Sequence, residues 1–207
     1  MEVELIAYTP EPDRVCAAAA RLTHSKLAGE KLVEQMSEEE ISRLLRNVLK
    51  AGHTSVIEHA SFTFSISGIS RACSHQLVRH RIASYSQQSQ RYVKPSETFV
   101  LPPRVEENGE AKRIFEEALQ KCSETYQRLT DLGIPKEDAR YIMPNATKTN
   151  IIVTINARSL INFLSLRLEK DAQWEIRELA KKMLEEAHKV APAIFHDVYE
   201  KYSGVKQ

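Results

Sequence analysis

The stretch around which this sequence is organised is residues 79–92, which read RHRIASYSQQSQRY. Three arginines and one histidine fall within thirteen of these positions, and mainly hydroxyl and amide side chains separate them. No acidic residue is present in the stretch. Guanidinium groups without neighbouring carboxylates bind external anions, and their planar fork fits phosphate and carboxylate best. The stretch therefore predicts a site for an anionic ligand whose neutral polar groups contact the Ser and Gln side chains.

Two long windows of the sequence lack acids altogether. Residues 59–96 contain no Asp or Glu over 38 positions, and residues 139–168 contain none over 30, although the chain has 28 acids in 207 residues. The cations in these windows are Arg71, Arg79, Arg81, Arg91, Lys94, Arg140, Lys148, Arg158 and Arg167. We predict that the two windows build one anion pocket from distant parts of the chain. The alternative is that each arginine pairs with an acid elsewhere in the fold, since surface ion pairs are common and weak.

Several short blocks of the sequence carry a family resemblance. Arg79-His80-Arg81 is followed after seven residues by Ser89, and Arg91 comes two positions later. Further blocks are GH at 52–53, EH at 58–59, FTF at 62–64, NARSLINFL at 156–164, LR at 166–167 and AQWEI at 172–176. In these blocks the sequence resembles the flavin-dependent thymidylate synthases (ThyX), from about residue 53 to residue 176.

Composition argues against several other classes of protein. The net formal charge is +1, whereas a dedicated nucleic-acid-binding protein is usually distinctly basic. Cys16, Cys73 and Cys122 form no CxxC pair, so neither a disulfide framework nor a thiolate metal site is predicted. No signal-peptide pattern follows Met1, and no apolar run approaches the roughly 20 residues that span a membrane. We therefore predict a cytoplasmic protein without membrane or nucleic-acid partners, folded as a single domain over residues 1–207.

Hydrophobic periodicity predicts an α+β fold with a mixed or antiparallel sheet flanked by helices, like that of the resembled family. Strands are predicted at 3–7, 61–67 and 149–155, with a short one possible at 98–101, and the strand at 149–155 reads as buried on both faces. A capping box at 37–40 opens a helix that Gly52 closes. The arginine-rich stretch is predicted to leave a helix end as a loop. Further helices are predicted at 12–26, 70–80, 110–132, 135–143, from 156 onward, 171–190 and 192–202.

A flavin dinucleotide would have to be held without a glycine-rich loop. None of the six glycines has GxGxxG or P-loop spacing, so no Rossmann or Walker motif is present. Side chains and helix termini must then replace those backbone donors. The alternative for His53 is a helix-capping or buried hydrogen-bonded role. The resemblance implies contacts with FAD by His53, Ser55, Glu58, Arg79, His80, Arg81, Gln87, Asn156, Arg158 and Asn162.

The resemblance also implies a second ligand, deoxyuridylate (dUMP), and a reaction. The reaction is the reductive methylation of dUMP to dTMP, with methylenetetrahydrofolate as one-carbon donor and NADPH supplying electrons through FAD, in a homotetramer with shared active sites. Arg91 is expected at the phosphate and Arg167 against the pyrimidine, where a cation favours the N3 anion and activates C5. The implied dUMP contacts are Gln76, Arg79, Gln87, Gln88, Ser89, Gln90, Arg91, Arg140 and Arg167.

Arg167 and Ser89 are the candidate catalytic residues. A serine is a weak nucleophile without a partnered base, and no base is identifiable, so Ser89 is assigned to binding or polarising the substrate rather than to covalent attack. Cys73 lies outside the matched blocks and is expected to be a buried structural thiol. No pair of histidines has HExxH spacing, so no catalytic metal is predicted.

Two alternatives of different class remain open, and two positions depart from the family pattern. One alternative is another flavin- or nucleotide-dependent enzyme that reuses the pocket. The other is a nucleic-acid-binding module using Arg and Tyr contacts, although two separate acid-free windows and a near-neutral charge favour a compact pocket. Many family members have Asn-Glu where this chain has Ser86-Gln87, and some have histidine near Asp171. Glutamine can hydrogen-bond a nucleotide but cannot act as a base.

Overall fold

A computed structural model of the chain describes residues 1–95 and 98–202. Within those residues the strands are β1 Glu2–Tyr8, β2 Ser61–Ser70, β3 Ala83–Gln87 and β4 Lys148–Asn156. The helices are α1 Pro12–Leu22, α2 Gly29–Gln35, α3 Glu38–Lys50, α4 Arg71–Leu77, α5 Pro103–Glu106, α6 Gly109–Asp131, α7 Lys136–Ala139, α8 Ala157–Arg167, α9 Trp174–Val190 and α10 Pro192–Tyr202. Short 3₁₀ helices are present at Thr54–His59 and Arg140–Ile142.

The strands form a four-stranded sheet in the order β1-β2-β4-β3. Strands β2 and β4 run antiparallel, since the Thr63 and Thr154 hydroxyls are 3.0 Å apart and the Gly68 N–H donates to the Asn150 side chain at 3.2 Å. The prediction of an α+β fold with an antiparallel sheet is therefore confirmed. Phe62, the first apolar residue of an alternating series in β2, is fully buried, which confirms the predicted single buried face.

Two predicted features of the strands are wrong. Strand β4 alternates buried and exposed positions instead of being buried on both faces, and Ile152 is 43% exposed. The β-branched run favours a strand on either face, so its composition could not reveal which face is covered. The arginine-rich stretch does not continue as a loop, because Ala83–Gln87 forms β3. At 98–101 only one isolated bridge, from Phe99 to Thr147, replaces the possible strand.

The two predicted caps bound α3, and two further side-chain caps set the starts of α8 and α9. The Ser37 capping box begins α3, and Gly52 follows the end of that helix with a φ of 81°. The Asn156 side chain caps α8 by accepting a hydrogen bond from the Ser159 N–H at 2.9 Å. Helix α9 begins three residues later than predicted because the Gln173 side chain accepts from the Glu175 and Ile176 N–H groups and caps it there.

The described chain divides into two compact units, each built from separated parts of the sequence. The first unit comprises residues 1–2, 66–78 and 86–151. The second unit comprises residues 3–65, 79–85 and the chain from 152 onward. Its core includes an edge-to-face contact between Phe62 and Phe195, whose ring centroids are 5.5 Å apart. Whether residues 1–207 act as one domain stays a prediction.

A carboxylate joins the first and last helices of the second unit. Asp13, on α1, accepts hydrogen bonds from the Ala193 N–H at 2.8 Å and the Ile194 N–H at 3.0 Å, at the start of α10. Burial raises the pKa of Asp13, while these two hydrogen bonds lower it. The carboxylate thus satisfies two amides that the helix itself leaves without acceptors.

Replacing Asp13 with alanine is expected to lower the free energy of unfolding by about 2 kcal/mol, because two charge-assisted hydrogen bonds are lost and both amides are left without an acceptor. Urea unfolding followed by circular dichroism measures this change. Asp171→Ala, which removes an exposed aspartate, is the matched control and should change the free energy by less than about 0.5 kcal/mol. Equal effects of the two substitutions would show that the Asp13 cap contributes nothing.

Candidate active site

Two arginines from the two acid-free windows line one cavity in the first unit. Arg71 begins α4, and its N–H donates to the Thr147 carbonyl at 3.0 Å, which holds α4 beside the turn before β4. Arg140 follows α7. The cavity has a volume of about 360 Å³ and is lined by Arg71, His75, Gln90, Arg140, Tyr141, Met143, Pro144 and Asn145. No carboxylate is among these lining residues, so the cavity suits an anion.

The two guanidiniums of this cavity affect each other electrostatically. Burial, and secondarily the charge of Arg140, lower the pKa of Arg71. Among the described residues neither arginine forms an ion pair with a carboxylate, although the Arg140 Nε donates to the backbone carbonyl of Glu137 at 3.1 Å. Like charges held together without a counter-charge are stabilised by a bound anion. Arg71 was not among the predicted site residues, yet its place in the first acid-free window could have indicated it.

The expectation that Arg91 lacks an internal carboxylate is wrong. Its Nε and Nη2 atoms each lie 2.9 Å from the Glu137 Oε2 atom. Glu137 is 46 residues away in sequence and lies two residues before the second acid-free window, so a count along the chain could not reveal the pair. Both side chains are about half exposed, and exposed ion pairs are weak enough to exchange for a ligand.

Gln87 is fixed so that its carbonyl oxygen is left to accept hydrogen bonds. Its amide nitrogen donates to the Ser74 hydroxyl at 2.9 Å and to the Thr149 hydroxyl at 3.2 Å. Ser74 and Thr149 are buried, and Ser74 donates in turn to the Arg71 carbonyl, so its hydroxyl orientation is set. At position 87 the chain therefore presents a neutral hydrogen-bond acceptor.

The surroundings of Ser89 agree with a binding role. Its hydroxyl oxygen accepts a hydrogen bond from the Arg91 N–H at 3.2 Å and so shapes the turn after β3. In the described part of the chain no imidazole or carboxylate is hydrogen-bonded to this hydroxyl. A serine without a base is not activated for covalent attack. Of the neighbouring predicted residues, Gln90 lines the cavity, Gln76 is half-buried and Gln88 is exposed.

The arginine-histidine-arginine motif lies in the second unit. Arg79 and Arg81 are exposed, and neither forms an ion pair with a carboxylate among the described residues. His80 between them is only 8% exposed. The next residue, Ile82, has a φ of 62° and is 76% exposed. A β-branched residue in the left-handed region is a conformational outlier, and such outliers cluster at functional sites.

His80 contacts Arg167, the predicted catalytic residue of this unit. The Arg167 Nε donates to the His80 Nε2 at 2.9 Å, and the imidazole packs edge-to-face on Phe163 at a centroid distance of 4.8 Å. Burial, and secondarily the Arg167 charge, lower the pKa of His80. Arg167 itself is half-buried and forms no ion pair with a carboxylate in the described residues. The first and second acid-free windows therefore meet here as well.

Four of the six remaining predicted cofactor residues line two cavities of the second unit, whereas Glu58 and Asn156 are not among the lining residues. Arg158 and Asn162 line a cavity of about 370 Å³ together with Arg46, Thr54 and residues of α10 such as Ile194. His53 and Ser55 line another of about 420 Å³, whose wall also includes Arg21, Thr23, His24, Leu44, Val48 and Val56. Apolar walls with a few polar groups are typical of cofactor sites, so these residues fit a flavin.

The surroundings of three predicted cofactor residues, Arg158, His53 and Asn156, were not evident from the sequence. Arg158 forms an ion pair with Glu58, so the expectation of a free guanidinium is wrong here too, while both partners of the pair are predicted cofactor residues. His53 is exposed and makes no side-chain cap hydrogen bond, which excludes the two structural alternatives for it. The Asn156 side chain caps α8.

Other predictions concern features outside the cavities. Cys73 is fully buried, as predicted. Among the described residues no group of three or more His, Cys, Asp or Glu side chains could hold a metal ion. None of the helices in the described ranges is long and apolar enough to cross a membrane.

Comparisons with known proteins identify the family. The model of the family "Thymidylate synthase complementing protein" matches residues 4–193. The chain is 50% identical to the flavin-dependent thymidylate synthase of Geobacter sulfurreducens over 204 residues, covering 95% of this chain and 86% of that protein. It is 47% identical to the Sulfurisphaera tokodaii enzyme of the same name, covering 96% and 77% of the two chains. It is 44% identical to that of Clostridium tetani, covering 99% and 87%.

A solved structure has the same fold. It is a UMP/dUMP methylase, PolB, from Streptomyces cacaoi with 5-Br dUMP bound, and it superposes with a TM-score of 0.86 at 27% identity. The match covers 97% of this chain and 95% of that chain. The chain therefore belongs to the flavin-dependent thymidylate synthase family.

Proposed function

We propose that this chain, acting as one domain over residues 1–207, is a flavin-dependent methyltransferase that converts dUMP to dTMP. The proposal rests on family membership and on one structural observation. That observation is the cavity in which Arg71 and Arg140 lie without a carboxylate among the lining residues. A nucleotide phosphate supplies the missing counter-charge, and its sugar and base offer groups for neighbouring amides and hydroxyls.

For dUMP we propose two kinds of contact. The Arg140 cavity holds the phosphate, and Arg91 joins it by exchanging its exposed partner Glu137 for the ligand. Gln87 offers a carbonyl oxygen to an N–H or O–H group of the nucleotide, because its own amide N–H groups are occupied. The further proposed contacts, carried over from the family resemblance, are Gln76, Arg79, Gln88, Ser89, Gln90 and Arg167.

For the flavin we propose FAD as the specific cofactor. When bound, it supplies the reducing equivalents for the methylation. Arg79 and Arg81 are exposed and without ion pairs among the described residues, so they suit its pyrophosphate, whereas the imidazole of His80 already bonds to Arg167. The other proposed FAD contacts are His53, Ser55, Glu58, Gln87, Asn156, Arg158 and Asn162.

We propose that Arg167 performs the electrostatic part of the catalysis. A fixed cation against the pyrimidine lowers the pKa of its N3, and each tenfold change in that equilibrium requires only about 1.4 kcal/mol. The resulting negative charge activates C5 toward the one-carbon unit. Ser89 is proposed to polarise or bind the substrate, since its hydroxyl has no partnered base in the described chain. Methylenetetrahydrofolate as donor, NADPH as reductant, a homotetramer and a cytoplasmic location remain proposals that the resemblance supports.

Two measurements test this function against its alternatives. Purified protein is expected to show flavin absorbance, at least after FAD is added, and a nucleic-acid-binding module would show none. Incubation with dUMP, methylenetetrahydrofolate and NADPH is expected to form dTMP, detected by chromatography. Flavin binding without dTMP formation would favour a different flavin enzyme that reuses the cavities.

Replacing Arg91 with alanine is expected to raise the dissociation constant for dUMP about tenfold or more, because a charge-assisted hydrogen bond to the phosphate is lost, while flavin affinity is unchanged. Isothermal titration calorimetry measures both constants. Glu137→Gln is the informative partner variant, since it removes the competing carboxylate and should tighten dUMP binding. If Arg91→Ala binds dUMP like the wild type, Arg91 is not a phosphate ligand.

A further inference from the structure

We propose that the imidazole of His80 positions Arg167 for the reaction by accepting a hydrogen bond from it, instead of contacting the cofactor. The inference rests on the proposed function of Arg167 and assigns His80 a role that the family resemblance does not imply. Its basis is the geometry around the imidazole.

The hydrogen bond fixes the protonation state of His80. Arg167 Nε lies 2.9 Å from His80 Nε2. A guanidinium can only donate, so Nε2 must be the bare nitrogen and the proton of the neutral ring must be on Nδ1. A doubly protonated imidazole could not accept this bond and would repel the guanidinium. His80 is therefore neutral whenever the bond exists, and burial, which lowers its pKa from the usual 6.5, favours the same state.

Contacts to the ring and to the backbone hold His80 in place. Its ring packs edge-to-face on Phe163, at an interplanar angle of 88°. Phe163 and Arg167 are four residues apart on α8 and therefore lie on one side of that helix. The Tyr85 hydroxyl, on β3, donates to the His80 carbonyl at 2.9 Å. With 8% of the residue exposed, little of the ring is left to contact a ligand.

This arrangement orients a side chain that is otherwise flexible. With Nε committed to His80, the terminal Nη atoms of Arg167 are the ones left for a ligand, in one defined direction. Among the described residues, the charged and titratable groups hydrogen-bonded to His80 are Arg167 from α8, at the ring, and Tyr85 from β3, at the backbone carbonyl. Burial raises the pKa of Tyr85 to about 12 despite the nearby Arg81, so Tyr85 stays protonated through the physiological range. His80 is thus the group whose titration changes the arrangement.

Two substitutions of His80 separate positioning from cofactor contact. His80→Leu removes the acceptor and is expected to lower kcat for dUMP methylation 10- to 100-fold, with KM for dUMP changed less and the flavin dissociation constant within twofold of wild type. His80→Gln places an amide oxygen near the position of Nε2 and should recover at least tenfold of that loss. The wild-type rate should also fall in acid as His80 becomes protonated, at a pH below the usual imidazole pKa of 6.5 because burial lowers the pKa of His80, and this acid limb should be weaker in His80→Gln.

A double-mutant cycle with Arg167→Lys supplies the remaining readout. If His80 acts through Arg167, His80→Leu should cost less than threefold in the Arg167→Lys background. Equal losses in His80→Leu and His80→Gln, additive effects in the cycle, or lost flavin binding with normal turnover of the loaded fraction would each overturn the inference. A wild-type protein that does not methylate dUMP would overturn the proposed function instead. In that case the same double-mutant cycle is measured on unfolding free energies. Non-additive effects would support the contact between His80 and Arg167, and additive effects would overturn it.

Discussion

Replacing Arg167 with glutamine is expected to lower kcat for dUMP methylation by about 100- to 1,000-fold, the usual effect of removing one preorganised group that stabilises developing charge. Arg167 ends α8, is half-buried, and forms no ion pair with a carboxylate among the described residues. Its charge is therefore not neutralised within the described chain and is available to a pyrimidine anion. Because this interaction strengthens as negative charge develops on the base, the loss should fall on kcat more than on KM.

Steady-state kinetics with dUMP as the varied substrate measure this effect. Arg177→Gln is the matched control, since Arg177 is a half-buried arginine of the same unit whose Nη1 donates only to a backbone carbonyl, that of Lys170. The control should keep kcat within about twofold of wild type. If Arg167→Gln and Arg177→Gln have equal kcat values, Arg167 does not stabilise charge in the reaction.

Removing either guanidinium of the phosphate cavity is expected to raise the dissociation constant for dUMP by about 10- to 100-fold, since a charge-assisted hydrogen bond contributes about 1.5–3 kcal/mol and each 1.4 kcal/mol is tenfold in affinity. The variants are Arg71→Gln and Arg140→Gln. Both arginines line the cavity of about 360 Å³, and burial lowers the pKa of Arg71, which indicates a poorly solvated guanidinium. A dianionic phosphate relieves the repulsion between the two groups.

Deoxyuridine, which lacks the phosphate, distinguishes a phosphate ligand from a residue that only supports the fold. Its affinity should be the same in wild type, Arg71→Gln and Arg140→Gln. Arg104→Gln, which removes an exposed arginine of the same unit, should leave both dissociation constants unchanged. If Arg71→Gln and Arg140→Gln weaken deoxyuridine as much as dUMP, the cavity does not bind the phosphate.

The fold could be predicted from the sequence wherever local chemistry determines structure. The Ser37 capping box, the helix start at Asn156 and the alternation in β2 each depend on residues close together in the chain. Strand β3 was missed because Ala83–Gln87 consists of small and polar residues, with no apolar alternation to indicate a buried face. The covered face of β4 depends on which helices pack there, and that information lies elsewhere in the chain.

The acid-free windows of the sequence point to arginines that line the candidate cavities, but not to the acids with which some of the predicted arginines pair. Acid-free windows measure separation along the sequence, whereas ion pairs form in space. Glu137 is 46 residues from Arg91, and Glu58 is 100 residues from Arg158, so neither pair could be recognised from local composition. For the same reason Arg71 was not predicted as a site residue. It belongs to the first acid-free window, but its position in the sequence does not show that it lines the same cavity as Arg140.

The most direct test of the central claim is release of tritium from [5-³H]dUMP by the flavin-loaded protein. Methylation at C5 must expel the C5 hydrogen, so tritium should be released in proportion to the dTMP formed, and only when NADPH and methylenetetrahydrofolate are both present. Arg167→Gln should reduce this release about 100-fold or more. A flavin-loaded wild-type protein that binds dUMP but releases no tritium would contradict the account.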